Sequence, residues 1–147
     1  MAEEPVVLRG KIALDDRGEV GFVNDFDFKG VKRFYTVTVH RRGVVRAWHG
    51  HKHEAKYATA VNGALLLCCI KIDDWENPSP DLPVHRFVFS EKMPAVLYIP
   101  PGYANGFMSL TANAKIMFFS TASLEESLKD DIRFPSRTWN PWIMEEC

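Results

Sequence analysis

The chain has 147 residues, of which 46% are hydrophobic and 25% charged, with a formal net charge of −1. This is the balance of one ordinary domain, spanning 1–147, that can bury a core without disulfide staples. It offers no bulk field to nucleic acid or to a membrane surface, and its longest apolar run, Ala64 to Ile70, is too short to cross a bilayer. In chain order, Arg33–His40 alternates in the manner of a strand, and Val44–His49, Lys56–Val61 and Ala64–Ile72 follow. Asn62-Gly63 joins the last two and predicts a hairpin there. The stretch Trp75–Pro83, with three prolines, predicts a loop. Val84–Phe89, Ala95–Ile99 and Ala114–Ser120 are further strands, with Pro100-Pro101-Gly102 as punctuation. Only Ser123–Lys129 predicts a helix, with Ser123 as its cap and Glu125 and Glu126 in the first turn. Eight or so short strands and almost no helix leave sandwich, jelly roll and closed barrel as candidate architectures.

The opening Met-Ala-Glu-Glu-Pro lacks the basic and apolar regions of a signal peptide. Of the three cysteines, Cys68 and Cys69 are adjacent and Cys147 is the last residue. Strand neighbours point to opposite faces, so Cys68 and Cys69 are poorly placed to pair with each other. They are expected to be packing residues of a reduced, cytoplasmic protein.

The informative segment is His40–Lys56. It holds four of the five histidines (His40, His49, His51 and His53) together with Arg41, Arg42, Arg46, Lys52 and Lys56, against one acid, Glu54. A near-neutral chain has gathered cations locally, which suits a diphosphate: Arg offers a fork of donors and Lys a point charge. His49 and His51 are two apart and so share one face of a strand, where two imidazoles can meet one ligand and move protons. A turn is expected before His53. His40 and the isolated His85 are expected to be ordinary surface or packing residues. Arg46 has the opposite parity to His49, so both can line one site only if a bulge intervenes.

Gly43-Val-Val-Arg46-Ala-Trp-His49-Gly-His51-Lys52, then Lys56, then Ile99-Pro-Pro-Gly102-Tyr-Ala-Asn105-Gly-Phe107, resembles the sugar-nucleotide cupins over roughly residues 12–135. The first half, with Asp16-Arg17-Gly18, Lys32-Arg33-Phe34-Tyr35 and the two histidines, is similar to the dTDP-4-keto-6-deoxyhexose 3,4-ketoisomerases. The second half, with Tyr98–Phe107 and Asp130-Asp131 followed by Phe134-Pro135, is similar to the dTDP-4-dehydrorhamnose 3,5-epimerases. The resemblance implies an all-β cupin, a jelly-roll barrel with a short C-terminal helical segment. It implies a homodimeric, cytoplasmic isomerase of deoxysugar and polysaccharide biosynthesis, acting on a nucleotide-sugar, with no nucleic acid, membrane or cofactor involved.

In the same way it implies His49 as base, His51 as a second proton carrier, Lys56 at the reacting carbonyl and Asp130 or Asp131 as the orienter of His49. Arg33, Tyr35, Arg46, Lys52 and Asn105 are the implied substrate-binding groups. Cupins that bind metal add a second-motif histidine to two His and a Glu. Here Asn105 stands where that histidine falls, and an amide is a poor transition-metal ligand, so no metal is expected. Two departures bear on the reaction. Asn105 also replaces the histidine of the epimerase Ala-His-Gly-Phe signature. The epimerase tyrosine that returns a proton from the opposite face falls near Phe118 or Phe119, leaving Tyr35 or Tyr103 as substitutes. Phe22, Phe26 and Phe28 suit either a nucleotide base or core and dimer packing, and Trp139 and Trp142 are expected to cover an end of the barrel.

Overall fold

The computed structural model describes residues 3–143. Its elements are β1 (Val6–Arg9), β2 (Lys11–Asp15), β3 (Gly18–Phe22), β4 (Arg33–Val39), β5 (Val45–His51), β6 (Lys56–Asn62), β7 (Ala64–Lys71), β8 (His85–Ser90), β9 (Ala95–Ile99), β10 (Tyr103–Ser109), β11 (Ala114–Ser120), α1 (Leu124–Leu128) and β12 (Ile132–Arg133). The strands form two five-stranded sheets, ordered β1-β9-β6-β11-β4 and β12-β5-β10-β7-β8, with β2 and β3 as a separate hairpin. All pairings are antiparallel.

The inner faces of the two sheets enclose the main core. Ala58, Leu97, Ile116 and Phe118 come from the first sheet and Leu67, Cys69, Tyr103 and Phe107 from the second. A second apolar cluster lies on the outer face of the second sheet, where Trp139 and Trp142 cover Trp48, Leu66, Cys68 and Ile70. The two tryptophans therefore cap a sheet face rather than a barrel end. Cys68 and Cys69 fall in different clusters, as strand alternation requires, and burial pushes both thiols up to about 12. Cys147 lies outside the described residues. This is the jelly-roll β-barrel that the resemblance implies, with α1 as its short C-terminal helix.

Three sequence expectations meet the tertiary structure differently. Asn62-Gly63 does form a tight turn, with Gly63 at φ 67°, but β6 and β7 belong to different sheets. The turn is an arch from one sheet to the other, not a hairpin. The segment Tyr103–Ser109, expected only as family signature, is a central strand buried along its whole length. A strand covered on both faces shows no alternation to read. The helix forms where expected: the Ser123 hydroxyl accepts from Glu126 N–H, Glu126 reaches back to Ser123 N–H, and Lys32 binds the Glu126 carboxylate at 2.8 Å. Among the described residues no helix is long and apolar enough to cross a membrane.

Candidate active site

One end of the barrel opens into a cavity of about 260 Å³. Its walls come from β4 (Arg33, Tyr35, Val37), β5 (Arg46, His49, His51), β6 (Lys56), β10 (Asn105, Phe107), β11 (Phe118) and the segment after it, Leu124 to Arg133. The placement follows from register. His49 pairs with Asn105 and His51 with Tyr103, and paired residues share a face, so both imidazoles point inward with Asn105. Phe107 pairs with Arg46, so two steps on β10 oppose three on β5. That extra residue is a β-bulge, and it turns Arg46 to the face of His49. Gly106 permits it: a Cβ there would run into Ala47 and the Arg46 carbonyl. The parity conflict in Arg46-x-x-His49 is thus resolved by local geometry.

Each histidine has its own surroundings. His49 is driven down to about 4, first by burial and then by Arg133 and Lys56, with Asp131 opposing. It is therefore a neutral imidazole near pH 7, able to accept a proton. His51 is also depressed, by burial first and Lys56 next, while Glu54 pulls the other way. Its Nδ1 donates to the Asp130 backbone carbonyl at 2.6 Å, since a carbonyl oxygen can only accept. Lys56, itself buried, donates to the Tyr35 hydroxyl at 2.8 Å, and the Tyr35 ring stacks on Phe118 at 5.2 Å. Glu54 has a fully buried side chain set 3.5 Å from His51 Nε2, 3.5 Å from Lys56 Nζ and 4.0 Å from Arg33.

Most residues named from the sequence meet in this cavity: Arg33, Tyr35, Arg46, His49, His51, Lys56, Asn105 and Asp131. Two do not line it. Lys52 is exposed beyond the end of β5, with its ammonium 5.8 Å from the Trp75 ring centre. The Asp130 carboxylate turns away and accepts the backbone N–H groups of Lys52, His53 and Glu54 at 2.7, 2.8 and 2.9 Å. Burial opposes its ionisation, but those three donors outweigh it and hold the carboxyl below its ordinary value. Asp130 thus shapes the turn after β5 and, through its carbonyl, the His51 ring. Asp131 is the acid on the His49 side, paired with Arg133 at 3.1 Å.

Of the two tyrosines offered as substitutes, Tyr35 lies in the cavity and Tyr103 in the core, its hydroxyl 3.4 Å from the Glu3 carbonyl. Phe118 faces the cavity, while Phe119 joins Phe28 at 4.7 Å on the opposite face. Phe26 and Phe28 belong to that outer cluster. His53 is exposed in the turn, His40 is exposed and His85 half-buried, and none lines the cavity. Arg133 was not legible in advance: it reaches the site only because β12 pairs with β5 and sets Arg133 against His49. Asn105 is spent on the protein, donating to the His49 carbonyl at 3.4 Å. Among the described residues no group of three His, Cys, Asp or Glu is placed to hold a metal ion.

The fold recurs in solved structures. The dTDP-4-dehydrorhamnose 3,5-epimerase of Sulfolobus tokodaii superposes with a TM-score of 0.74 at 20% identity, over 92% of this chain and 80% of that one. The QdtA 3,4-ketoisomerase of Thermoanaerobacterium thermosaccharolyticum, solved with TDP, matches with a TM-score of 0.67 at 20% identity, over 94% of this chain and 93% of that one. The rmlC epimerase of Mycobacterium tuberculosis matches with a TM-score of 0.68 at 21% identity, over 81% of this chain; the chain spans 64% of that longer protein. No curated protein matches. The family model described as dTDP-4-dehydrorhamnose 3,5-epimerase matches residues 4–143, nearly the whole chain, and the protein therefore belongs to that family.

Proposed function

We propose that the protein is a metal-independent isomerase acting on a nucleotide-linked 4-keto-6-deoxy sugar, in the manner of a dTDP-4-dehydrorhamnose 3,5-epimerase. One observation carries this reading: a neutral His49 shares a cavity with the Lys56 ammonium and with Arg33, Arg46 and Arg133. A proton beside a ketone becomes removable when a base stands at the carbon and a cation at the oxygen. His49 is the base, worth about 10²–10⁴ in rate. Lys56 holds the developing enolate oxygen, worth about 10²–10³. The three arginines bind the diphosphate. At about 260 Å³ the cavity is smaller than the ~300–1,000 Å³ that encloses a whole ligand. It suits the sugar, with the nucleoside lying across the open rim beside Leu124 and Leu128.

Tyr35 lines the cavity with its hydroxyl on Lys56, whereas Phe118 has no hydroxyl, which supports Tyr35 as the group that returns the proton. A second reading, 3,4-ketoisomerisation, is favoured by the same Phe118 and by His51 beside His49: two imidazoles on one face can move a proton between adjacent carbons. The resemblance to the sugar-nucleotide cupins supports a homodimer; light scattering at micromolar concentration should give twice the chain mass, and a monomer would refute it. Nucleotide-sugars are charged and stay where they are made, which supports a cytoplasmic role in deoxysugar and polysaccharide synthesis.

The test is solvent-deuterium exchange on dTDP-4-keto-6-deoxyglucose followed by NMR. Exchange at C3 and C5 marks an epimerase, and migration of the carbonyl to C3 marks a ketoisomerase. His49→Asn should remove exchange while dTDP affinity stays within a few fold. Binding without exchange in the wild type would make the protein a non-catalytic sugar-nucleotide binder and defeat the proposal.

A further inference from the structure

Glu54 is a buried charge to which the proposed reaction gives no task. Its side chain is 0% exposed, and among the described residues neither carboxylate oxygen makes a hydrogen bond. The backbone around it is fixed on both sides. Its own N–H goes to Asp130 Oδ2 at 2.9 Å, and that of Ala55 goes to Thr121 Oγ1 at 2.9 Å. A carboxylate held out of water without hydrogen bonds is costly unless opposite charge stands close. Two cations do so: Lys56 Nζ from β6 at 3.5 Å and the Arg33 guanidinium from β4 at 4.0 Å.

The two cations are placed differently. Arg33 is half-buried and also donates to Ser127 Oγ at 3.1 Å. Lys56 is buried, and its ammonium lies 5.4 and 5.2 Å from the Tyr35 and Phe118 ring centres while donating to the Tyr35 hydroxyl at 2.8 Å. An ammonium has three hydrogens. One goes to Tyr35, one is on the Glu54 side, and the third is left for an acceptor in the cavity that Lys56 lines. Because the Tyr35 oxygen accepts from Lys56, the hydrogen of the tyrosine stays free to donate. No other group around Lys56 can replace Glu54. His49 and His51 from β5 are both depressed and carry no charge near pH 7, Arg46 and Arg133 are further cations, Asp131 is paired with Arg133 at 3.1 Å, and the Asp130 carboxylate is taken by backbone N–H groups.

We infer that Glu54 is a positioning residue acting through Lys56, tethering its ammonium between the Tyr35 oxygen and the place of the reacting carbonyl. Its use in catalysis rests on the isomerase reading, though the tether itself does not. In turnover His49 takes the proton beside the ketone, and the electron pair of the broken C–H bond forms the enolate, whose oxygen accepts the third ammonium hydrogen. The enolate pair then takes the proton of Tyr35, whose O–H electrons stay on oxygen, and the ammonium 2.8 Å away offsets that charge. Solvent returns a proton to Tyr35 and removes the one on His49. Without Glu54, Lys56 and Arg33 are left as like charges side by side, and a flexible four-carbon stem turns the ammonium out towards the open rim.

The experiment is ¹⁵N-lysine NMR of the full chain without nucleotide, with the Lys56 signal assigned by its loss in Lys56→Met. In the wild type at pH 7 a tethered Lys56 ammonium should stay visible, while the exposed Lys11 and Lys92 exchange their hydrogens away with water. In Glu54→Gln, Lys56 should lose its proton about one pH unit or more below the wild type, a tenfold weaker hold. Glu54→Asp, which keeps the carboxylate, should restore most of the wild-type behaviour. On dTDP-4-keto-6-deoxyglucose, Glu54→Gln should lower kcat for the epimerised product by about 10², with dTDP affinity within a few fold. A wild-type Lys56 that exchanges as fast as Lys11 overturns the inference even if no variant folds. An unchanged Lys56 titration or an unchanged kcat in Glu54→Gln overturns it as well. A tethered Lys56 in a wild type that isomerises no sugar would defeat only the isomerase reading.

Discussion

Replacing Asp130 by asparagine probes the keystone of the site. Asp130 is 8% exposed, and its two oxygens receive three backbone N–H groups from the turn that separates His51 from Lys56. An amide keeps one oxygen. If that oxygen stays with His53 and Glu54, the Lys52 N–H meets a donor where it had an acceptor 2.7 Å away. One charge-assisted bond is lost, about 1.5–3 kcal/mol, and two fall from charged to neutral strength, about 1 kcal/mol each. The sum is about 3–5 kcal/mol, which lowers the melting temperature by about 10 °C in a domain of this length. The assay is urea unfolding followed by circular dichroism at pH 7 and again in acid. The folded carboxyl lies below its ordinary value of 3.8, so its contribution is whole above that value and lost as pH falls through the folded one. Wild type and Asp130→Asn should therefore differ most at neutral pH and converge in acid. A neutral-pH difference under about 1 kcal/mol would refute the role of the carboxylate as the clamp of this turn.

The acid limb of kcat/KM should lie near 4, the value of His49, so activity persists as pH falls from 7 towards 5 and drops only when the imidazole charges. A limb centred near 6.5, with the fold intact by circular dichroism, would show that the base is not this histidine. Tyr35→Phe removes the hydroxyl to which Lys56 donates at 2.8 Å. It should leave deuterium exchange at the sugar in place but cut formation of the epimerised product by about 10²–10⁴; unchanged product formation would exclude Tyr35 as the acid.

Local pattern was enough wherever a residue's role follows from its immediate neighbours. The strands Arg33–Val39, Ala95–Ile99 and Ala114–Ser120 were legible because one face of each is drier than the other or because the run is bounded by turn residues. Strand parity put His49 and His51 on one face and Cys68 and Cys69 on two. Ser123, Glu125 and Glu126 marked the start of the helix because a cap and the acids of its first turn lie within four residues. Parity failed at Arg46, where the bulge opposite Gly106 depends on a partner strand sixty residues away. It was silent at β10, which is covered on both faces.

The sequence alone determined an all-β domain with a cationic, histidine-bearing strand, since composition, alternation and turn chemistry act over a few residues. Which strands became partners was decided only by the tertiary structure. The Asn62-Gly63 turn specifies a reversal of the chain but not the sheet to which the next strand returns, because that choice depends on burying two faces together. The same long-range packing brought Arg133 beside His49, sent Asp130 to the backbone of another turn, and buried Glu54 among Arg33, His51 and Lys56. A carboxylate and an imidazole three residues apart carry no mark in the sequence that they will meet out of water, because burial is a property of everything packed around them.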